Sequence, residues 1–249
     1  MISVKGLYKS YDNNHVLNDV SVTFEKGKCN MIIGRSGSGK TVLLKSIAGL
    51  TKVDRGEIWY DNQEFTQMND REQQNIRKEM GMLFQGAALF DSLTVEENVK
   101  FPLDMLTSQT RAEKLERVNF CLERVKVSRT NHLFPSELSG GMKKRIAIAR
   151  AIALNPRYLL CDEPNSGLDP ETGIVIDNLI KELTQEFNMT TIVNSHDMNS
   201  VLEIADNVVF IYEGCKCWEG SGTEILNTDN EALNNFVFAT AMARQLKRS

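Results

Sequence analysis

The chain has few cysteines and no long apolar run, and each scarcity excludes a class of protein. The N-terminus has no basic stretch followed by an apolar one, so no signal peptide is expected. Five cysteines occur among 249 residues, and this odd number in a chain without a visible secretory signal predicts reduced thiols. Cys215 and Cys217 lack a second ligand pair at zinc spacing, so no zinc site is expected. Apolar runs such as 151–154 and 208–212 are about a quarter of the ~20 residues that a membrane-spanning helix needs.

An excess of basic residues is also absent. Lys plus Arg number 29 against 33 Asp plus Glu, a formal net charge of −4, which argues against nucleic acid as the main partner. Hydrophobic residues make up 41% and charged residues 25%, as in ordinary globular proteins. At about 150 residues per domain, the length predicts one large or two small domains. We therefore expect a soluble, cytoplasmic chain.

Apolar strands alternate with helices along most of the chain. The predicted strands are 20–24, 31–33, 56–65, 158–161, 190–193 and 208–212, and the predicted helices in the same regions are 40–48, 174–187 and 198–205. Strands that are apolar throughout are typical of parallel sheets buried on both faces. The alternation therefore predicts an α/β fold whose mostly parallel sheet binds its ligand at the carboxyl ends of the strands.

One stretch interrupts this alternation. Residues 70–134 are charged and helix-prone, and within them Leu115, Val118, Leu122 and Val125 recur at helical spacing. The change in composition predicts an inserted helical subdomain.

The C-terminal segment, residues 232–249, carries Phe236, Phe238 and Met242 and ends in basic residues. We expect an amphipathic helix that packs on its own domain or on a dimer mate. Binding to a membrane surface is the alternative.

A phosphate-binding loop follows the strand at 31–33. Residues 34–41, GRSGSGKT, satisfy the pattern GxxxxGK[ST] between a buried strand and a helix. Glycines let backbone amides point inward around phosphates, and the helix N-terminus adds partial positive charge. Lys40 would reach the β- and γ-phosphates, and the Thr41 hydroxyl would ligate Mg²⁺. The residues predicted to hold the phosphates are Gly34, Ser36, Gly37, Gly39, Lys40 and Thr41.

An acidic pair ends the strand at 158–161. Asp162 is placed to coordinate the metal ion, and Glu163 is placed to act as the general base toward an attacking water. Because only one GK[ST] loop is present, one chain offers one such site.

A third motif is LSGGM at 138–142. Ser139 can cap the following helix, and the two glycines leave its first amides open to an anion. The basic residues 143–145 lie in that first turn, where their charge opposes the helix dipole. They would either face a phosphate or form a solvated basic face.

These motifs resemble the ATP-binding cassette (ABC) family over nearly all of the chain. The family's signature LSGGQ is present as LSGGM. The other matches are Tyr11 for the aromatic residue that stacks on adenine, Gln85 for the glutamine loop, 166–169 for the D-loop and His196 for the switch histidine.

The resemblance implies a P-loop NTPase cassette with a mostly parallel core sheet, an N-terminal antiparallel β part and an inserted α-helical subdomain. Residues 1–249 would form a single cassette domain. Its core would comprise 1–85 and 136–225, its helical subdomain 86–135 and its tail 226–249.

The resemblance also implies an ATPase that uses ATP and Mg²⁺ and works as a head-to-tail homodimer. Ser139, Gly140 and Gly141 would serve the ATP bound by the partner, and Asp169 would communicate across the dimer. His196 would contact the γ-phosphate beside the base Glu163, while Gln85, with Thr41 and Asp162, would position the metal ion or the water.

The cargo is indicated by residues 85–103, which run QGAALFDSLTVEENVKFPL. This run and the ending LSGGM are similar to the ATPase subunit of Mla-type phospholipid transporters. That resemblance implies integral-membrane permease subunits, an MCE-domain lipid-binding protein and a peripheral location at the cytoplasmic face of the inner membrane. The D-loop region at 164–170 has the commoner cassette form. The ATPase of a polar-solute importer of the amino-acid type is the alternative.

Overall fold

Two β-sheets and eight α-helices make up the computed structural model, which describes residues 1–12 and 14–238. The strands are β1 (Ile2–Tyr11), β2 (Asn14–Phe24), β3 (Cys29–Ile33), β4 (Arg55–Tyr60), β5 (Gln63–Glu64), β6 (Met80–Leu83), β7 (Tyr158–Asp162), β8 (Thr190–Ser195), β9 (Asn207–Tyr212) and β10 (Cys215–Gly220). The helices are α1 (Lys40–Ile47), α2 (Asp70–Lys78), α3 (Val95–Leu106), α4 (Arg111–Arg124), α5 (Gly140–Ile152), α6 (Pro170–Glu186), α7 (Met198–Ile204) and α8 (Glu231–Val237). None of the helices in these described ranges is long and apolar enough to cross a membrane.

The larger sheet has the strand order β10-β9-β3-β8-β7-β6. All of its pairings are parallel except β9 with β10. Every residue of β3, β7 and β8 is buried, as expected for parallel strands covered by helices on both faces. The prediction of a mostly parallel sheet is therefore confirmed, and the carboxyl ends of these strands lie along one edge.

The smaller sheet is antiparallel, in the order β2-β1-β4-β5. Alternate residues of its strands point inward and join one apolar core with α1 and one face of the parallel sheet. Leu7, Phe24, Ile32 and Leu44, from β1, β2, β3 and α1, are all fully buried in this core. The antiparallel part is therefore packed directly over the strand and helix that flank the phosphate loop.

Helices α3, α4 and α5 pack on one another and on the opposite face of the parallel sheet, in a second core. Thr94 and Thr110 each begin a helix with a capping box, which satisfies free backbone amides. Of the predicted apolar stripe on α4, Leu115 is the exception. It is 37% exposed, whereas the three later residues of the stripe are buried. Helical spacing predicts which side of the helix its apolar residues lie on, but not how much of that side the neighbouring elements cover.

The predicted boundary of the helix-prone stretch is wrong at its N-terminal end. Residues 70–134 do not form one helical unit, because β6 within them pairs with β7 and joins the parallel sheet. Both α3 and α4 lie within 86–135, and the limits of that subdomain stay a prediction. Helix α6 starts four residues earlier than predicted because Asp169 caps it and Pro170 occupies its first position.

The short helix α8 packs on its own chain. Leu233 and Val237 are buried, and the ring of Phe236 lies 5.5 Å from that of Phe210 in β9. The described part of the C-terminal segment therefore covers the end of the parallel sheet. Met242 and the rest of 239–249 lie outside the described residues.

At Gly81 the backbone of α5 comes close to the parallel sheet. A Cβ atom there would lie 2.4 Å from the carbonyl oxygen of Ala151. We expect Gly81→Ala to lower the free energy of unfolding by about 1–3 kcal/mol, because the obstructing atom belongs to helix backbone. Urea unfolding monitored by circular dichroism measures the change. Gly86→Ala, where a Cβ would meet nothing within 4 Å, is the control. Equal stabilities of the two variants would contradict this packing.

Candidate active site

The phosphate loop connects β3 to α1 and depends on two glycines. Gly34 has φ +152°, and a Cβ there would lie 2.2 Å from the carbonyl oxygen of Ile211. Gly39, which precedes α1, has φ +106°, and its Cβ would lie 2.7 Å from the carbonyl oxygen of Val16. Both positions combine a left-handed conformation with close backbone contact, so they require glycine. The loop is thereby clamped between β9 and β2.

Lys40 lies inside this loop. Its side chain is buried, and Nζ donates hydrogen bonds to the carbonyl oxygens of Gly34 at 2.9 Å and Arg35 at 3.1 Å. Burial lowers the pKa of Lys40, against an opposing effect of nearby Glu163 and Asp162. Ser38 Oγ is also buried and has no hydrogen-bond partner among the described residues. A buried cation and an unpartnered hydroxyl in one glycine loop suit a bound phosphate group.

Asp162 ends β7 and is held from two sides. Thr41 Oγ1 donates to Asp162 Oδ1 at 3.1 Å, and Asn194 Nδ2 donates to the same oxygen at 3.0 Å. Asp162 is 7% exposed and Asn194 is fully buried. A carboxylate and a hydroxyl side by side are oxygen donors of the kind that Mg²⁺ prefers. The predicted metal ligands Thr41 and Asp162 therefore lie together, and their chemistry fits the ion.

Glu163 follows in the left-handed region, with φ +48°. Its Oε2 accepts a hydrogen bond from Gln85 Nε2 at 3.0 Å, and its Oε1 lies 3.2 Å from His196 Nδ1. Gln85 Nε2 also donates to Ser166 Oγ at 3.1 Å. A non-glycine residue held at positive φ is a frequent mark of functional sites. Of the three residues predicted as catalytic, His196 and Gln85 each contact Glu163.

A cavity of about 1850 Å³ opens above these residues. Its polar wall includes Ser36, Lys40, Glu163 and His196, together with the turn at 166–167. Residues from the C-terminal part of the chain also line it, and four of them are apolar: Leu226, Phe236, Val237 and Phe238. The cavity has room for a nucleotide-sized ligand.

Four other predicted residues lie away from this cluster. Ser139 Oγ caps α5 by accepting from Met142 N at 3.3 Å. Asp169 caps α6, and its carboxylate accepts from the backbone N and the hydroxyl of Thr172. Gly140 and Gly141 face Leu168 and Thr172 across the start of α6. Within the described part of the chain, none of the four lines the cavity.

Tyr11 also lies outside the cavity lining of the described residues. It ends β1, pairs with Asn14 and is 47% exposed.

Two basic residues of α5 bind partners that the sequence pattern did not predict. Lys144 is 4% exposed rather than part of a solvated face, and its Nζ donates to the carbonyl oxygen of Gln85. Burial lowers its pKa. Arg150 donates to the carbonyl oxygens of Ala87 and Ala88, which both have positive φ. Lys144 lies four residues before the buried Ile148, and that spacing is the signal that could have placed it inward.

A buried polar group supports the turn that follows Glu163. Asn165 Nδ2 donates to Asp177 Oδ2 at 2.7 Å and to Ser200 Oγ at 2.9 Å. Asp177 belongs to α6 and Ser200 to α7, so the group joins both helices to the turn. Burial raises the pKa of Asp177 to about 6, and the charges of Asp197 and Glu203 add to the increase.

Comparison with known proteins agrees with this geometry. Residues 17–166, more than half of the chain, match the family model described as ABC transporter. A methionine import ATP-binding protein of Carboxydothermus hydrogenoformans is 39% identical over 99% of this chain and 74% of its own length. The intermembrane phospholipid transport system ATP-binding protein MlaF of Haemophilus influenzae is 39% identical over 95% of this chain and 90% of its own. A probable ribonucleotide transport ATP-binding protein of Mycobacterium leprae is 34% identical over 95% and 68%.

Solved structures show the same architecture. The ATP-binding cassette MJ0796, a dimer in a post-hydrolysis state bound to ADP and Pi, has a TM-score of 0.81 and 33% identity. The match covers 89% of this chain and 99% of that one. The protein cbiO1 of Clostridium perfringens, part of the ABC transporter complex cbiONQ, has a TM-score of 0.85 and 27% identity and covers 99% and 98%.

The raised pKa of Asp177 predicts how stability changes with pH. In the unfolded chain its pKa is about 3.9, so between pH 4 and 6 the folded state binds the proton more tightly. Stability from this group is therefore lost as the pH rises through 6. Relative to Asp177→Asn, we expect the wild type to lose about 2 kcal/mol between pH 4.5 and 7.

Urea unfolding of both proteins at the two pH values measures this difference. Asp91→Asn, at an exposed position, is the control and should follow the wild type. Parallel pH dependence of the wild type and Asp177→Asn would contradict the prediction.

Proposed function

The chain belongs to the ATP-binding cassette (ABC) transporter family and is an ATPase subunit that uses ATP and Mg²⁺, and from that premise we propose that it powers phospholipid transport between membranes. Three features support the proposal: the roles of the clustered residues, an exposed aromatic surface and the amino-acid sequence of residues 85–103. The choice of phospholipid as the cargo rests on the third feature.

For the chemistry, we assign the general base to Glu163. One of its oxygens accepts a proton from the water that attacks the γ-phosphate. His196 and Gln85, which already contact its two oxygens, orient the carboxylate and the attacking water. Lys40 neutralises phosphate charge from within the loop, and Gly34, Ser36, Gly37 and Gly39 surround the phosphates with backbone and hydroxyl donors.

Mg²⁺ would be held by Thr41 and Asp162 with help from Gln85. With a nucleotide bound, the ion would supply positive charge that stabilises the negative charge of the phosphates. Asn194 supports this arrangement because its amide holds the carboxylate of Asp162 toward Thr41. Positioning of this kind by neighbouring residues tunes a metal site strongly.

We assign Ser139, Gly140 and Gly141 to the nucleotide of a second copy of the chain, and Asp169 to communication across the dimer. All four lie outside the cavity of their own chain, and Ser139 stands at a helix start. A helix start with free amides favours an anion. A head-to-tail homodimer brings these groups to the partner's site, and the dimeric form of the MJ0796 cassette supports this arrangement. Tyr11 stacks on the adenine.

An exposed aromatic surface on the α3–α4 side suits a membrane permease partner. Phe90 and Phe101 are 43% and 39% exposed, and their rings lie 4.8 Å apart. Met105 and Phe134 are also exposed. Exposed apolar patches of this kind mark interaction sites. The surface begins at Phe90, five residues after Gln85, so a permease bound there communicates with the base. The chain would then be a peripheral subunit at the cytoplasmic face of the inner membrane.

Phospholipid cargo rests on the run 85–103. This run contributes Phe90 and Phe101 to that surface and is similar to the ATPase subunits of Mla-type phospholipid transporters. MlaF of H. influenzae is among the relatives found. An MCE-domain lipid-binding protein would complete the complex. The second candidate is a polar-solute importer of the amino-acid type, which the methionine import relatives favour.

The cargo is tested on the complex purified from membranes with its permease. We expect mass spectrometry to find bound phospholipid, and phospholipid vesicles to stimulate ATP hydrolysis. A mock purification from membranes lacking the chain is the control. Recovery of an amino acid, together with ATPase stimulation by that solute and not by vesicles, would establish the importer instead.

Glu163→Gln tests the general base. The amide keeps the shape of the side chain but cannot accept the proton, so we expect hydrolysis to fall about 10²- to 10⁴-fold with ATP affinity retained. Because ATP then persists, size-exclusion chromatography with ATP should show a stable dimer. Glu116→Gln removes the same charge from an exposed position on α4 and should behave as wild type. Unchanged turnover of Glu163→Gln would refute the assignment.

A further inference from the structure

Tyr11 has a cation on one face of its ring. The Nζ atom of Lys9 lies over that ring, 5.1 Å from its centroid. The two residues are two positions apart on β1, next to a shift in the pairing of β1 with β2, and their side chains meet there. An ammonium group at this distance is attracted to the electron-rich face of an aromatic ring. One face of Tyr11 is therefore covered within its own chain.

Asp54 holds the ammonium group of Lys9 in place. Asp54 Oδ1 accepts from Lys9 Nζ at 2.9 Å, and Oδ2 accepts from the backbone N of Ser10 at 2.6 Å. The backbone N of Asp54 also donates to the carbonyl oxygen of Tyr8 at 3.0 Å. Three hydrogen bonds thus tie Asp54 to the end of β1. The Lys9 side chain is only 14% exposed, so its ammonium group is held in place. Lys9, Tyr11 and Asp54 together are called the platform below.

This platform borders the phosphate loop. Tyr11 pairs with Asn14 at the start of β2. Two residues further along β2, the carbonyl oxygen of Val16 lies 2.7 Å from where a Cβ of Gly39 would be. The hairpin that carries Tyr11 therefore begins beside the residue that precedes Lys40. A base attached to phosphates in the loop is within reach of the hairpin.

We propose that Lys9, anchored by Asp54, is a positioning residue for the nucleotide base: it occupies one face of Tyr11 and presents the other face for stacking. The inference rests on the proposed role of Tyr11. A ring already held by a cation loses less freedom when the base binds, and such preorganisation increases affinity. Because the stacked base lies away from the reacting phosphate, the contact is equally strong in the ground state and the transition state. It therefore changes KM and not kcat.

Lys9→Met tests the proposal in the full chain. Removal of the cation should weaken ATP binding about three- to tenfold, raise KM by the same factor and leave kcat unchanged. Binding of inorganic tripolyphosphate, which has no base to stack, should not change. Lys9→Arg, which keeps a cation over the ring, should restore affinity. Asp54→Asn, a second variant that releases the ammonium group, should weaken ATP binding in the same direction.

Lys5→Met is the matched control. Lys5 lies on the same strand, 4.8 Å over the ring of Trp59 and 3.9 Å from Glu57, so the variant removes the same kind of contact elsewhere. It should leave ATP affinity unchanged. Equal weakening by Lys5→Met and Lys9→Met, or equal loss of ATP and tripolyphosphate binding in Lys9→Met, would show a general charge effect and overturn the proposal.

Tyr11→Leu separates this inference from the role of Tyr11 itself. Tyr11→Leu should weaken ATP binding, and adding Lys9→Met to it should produce no further loss. If Tyr11→Leu binds ATP as tightly as wild type, the stacking role fails and the inference with it. If Tyr11→Leu weakens binding but Lys9→Met and Asp54→Asn do not, Tyr11 stacks without help and only the inference about Lys9 is overturned.

Discussion

The site depends on the buried carboxylate of Asp162 being held where three elements meet. Thr41 reaches it from the start of α1 and Asn194 from β8, each at hydrogen-bond distance. This meeting requires the strands to end level with one another: Asp162 lies opposite Asn194, and Ile33 lies opposite Ser195. A slip of one residue in either pairing would turn these side chains to the other face of the sheet. The register of the buried strands therefore determines the site as much as the identity of the residues.

Glu163, the residue after Asp162, lies at the same edge of the sheet but has a different backbone conformation. Glu163 leaves the strand at φ +48°, a conformation that costs a non-glycine residue about 1–2 kcal/mol. Its backbone N donates to the carbonyl oxygen of Asn194 at 3.1 Å, so the adjacent strand stabilises the conformation. In this conformation the carboxylate of Glu163 points toward Gln85, which follows β6, and His196, which follows β8. The carboxylate of Asp162 contacts Thr41 instead. Two adjacent carboxylates are thus given different partners by one backbone dihedral angle.

Much of this could be predicted from sequence because the signals are local. A glycine loop between a strand and a helix, or an acidic pair at a strand end, is visible in a few consecutive residues. Burial by distant elements is not visible in this way. Lys144 is inside because residues 85–88, more than fifty positions earlier, fold against α5, and Leu115 is exposed although it continues a buried stripe. Asp177 and Asn194 are polar residues within apolar stretches, and their partners are known only once α7 and β7 are in place.

The contacts of α5 explain how the separate motifs can act as one unit. The helix begins at the LSGGM motif, and Lys144 in its first turns binds the carbonyl oxygen of Gln85. Two turns later, Arg150 binds the carbonyl oxygens of Ala87 and Ala88 and lies 5.7 Å over the ring of Phe90. Buried hydrogen bonds from charged groups are expensive to break. These contacts join the residues around Phe90, the start of α5 and the backbone of Gln85 within one chain, which is the arrangement that coupling between the aromatic surface and the proposed base requires.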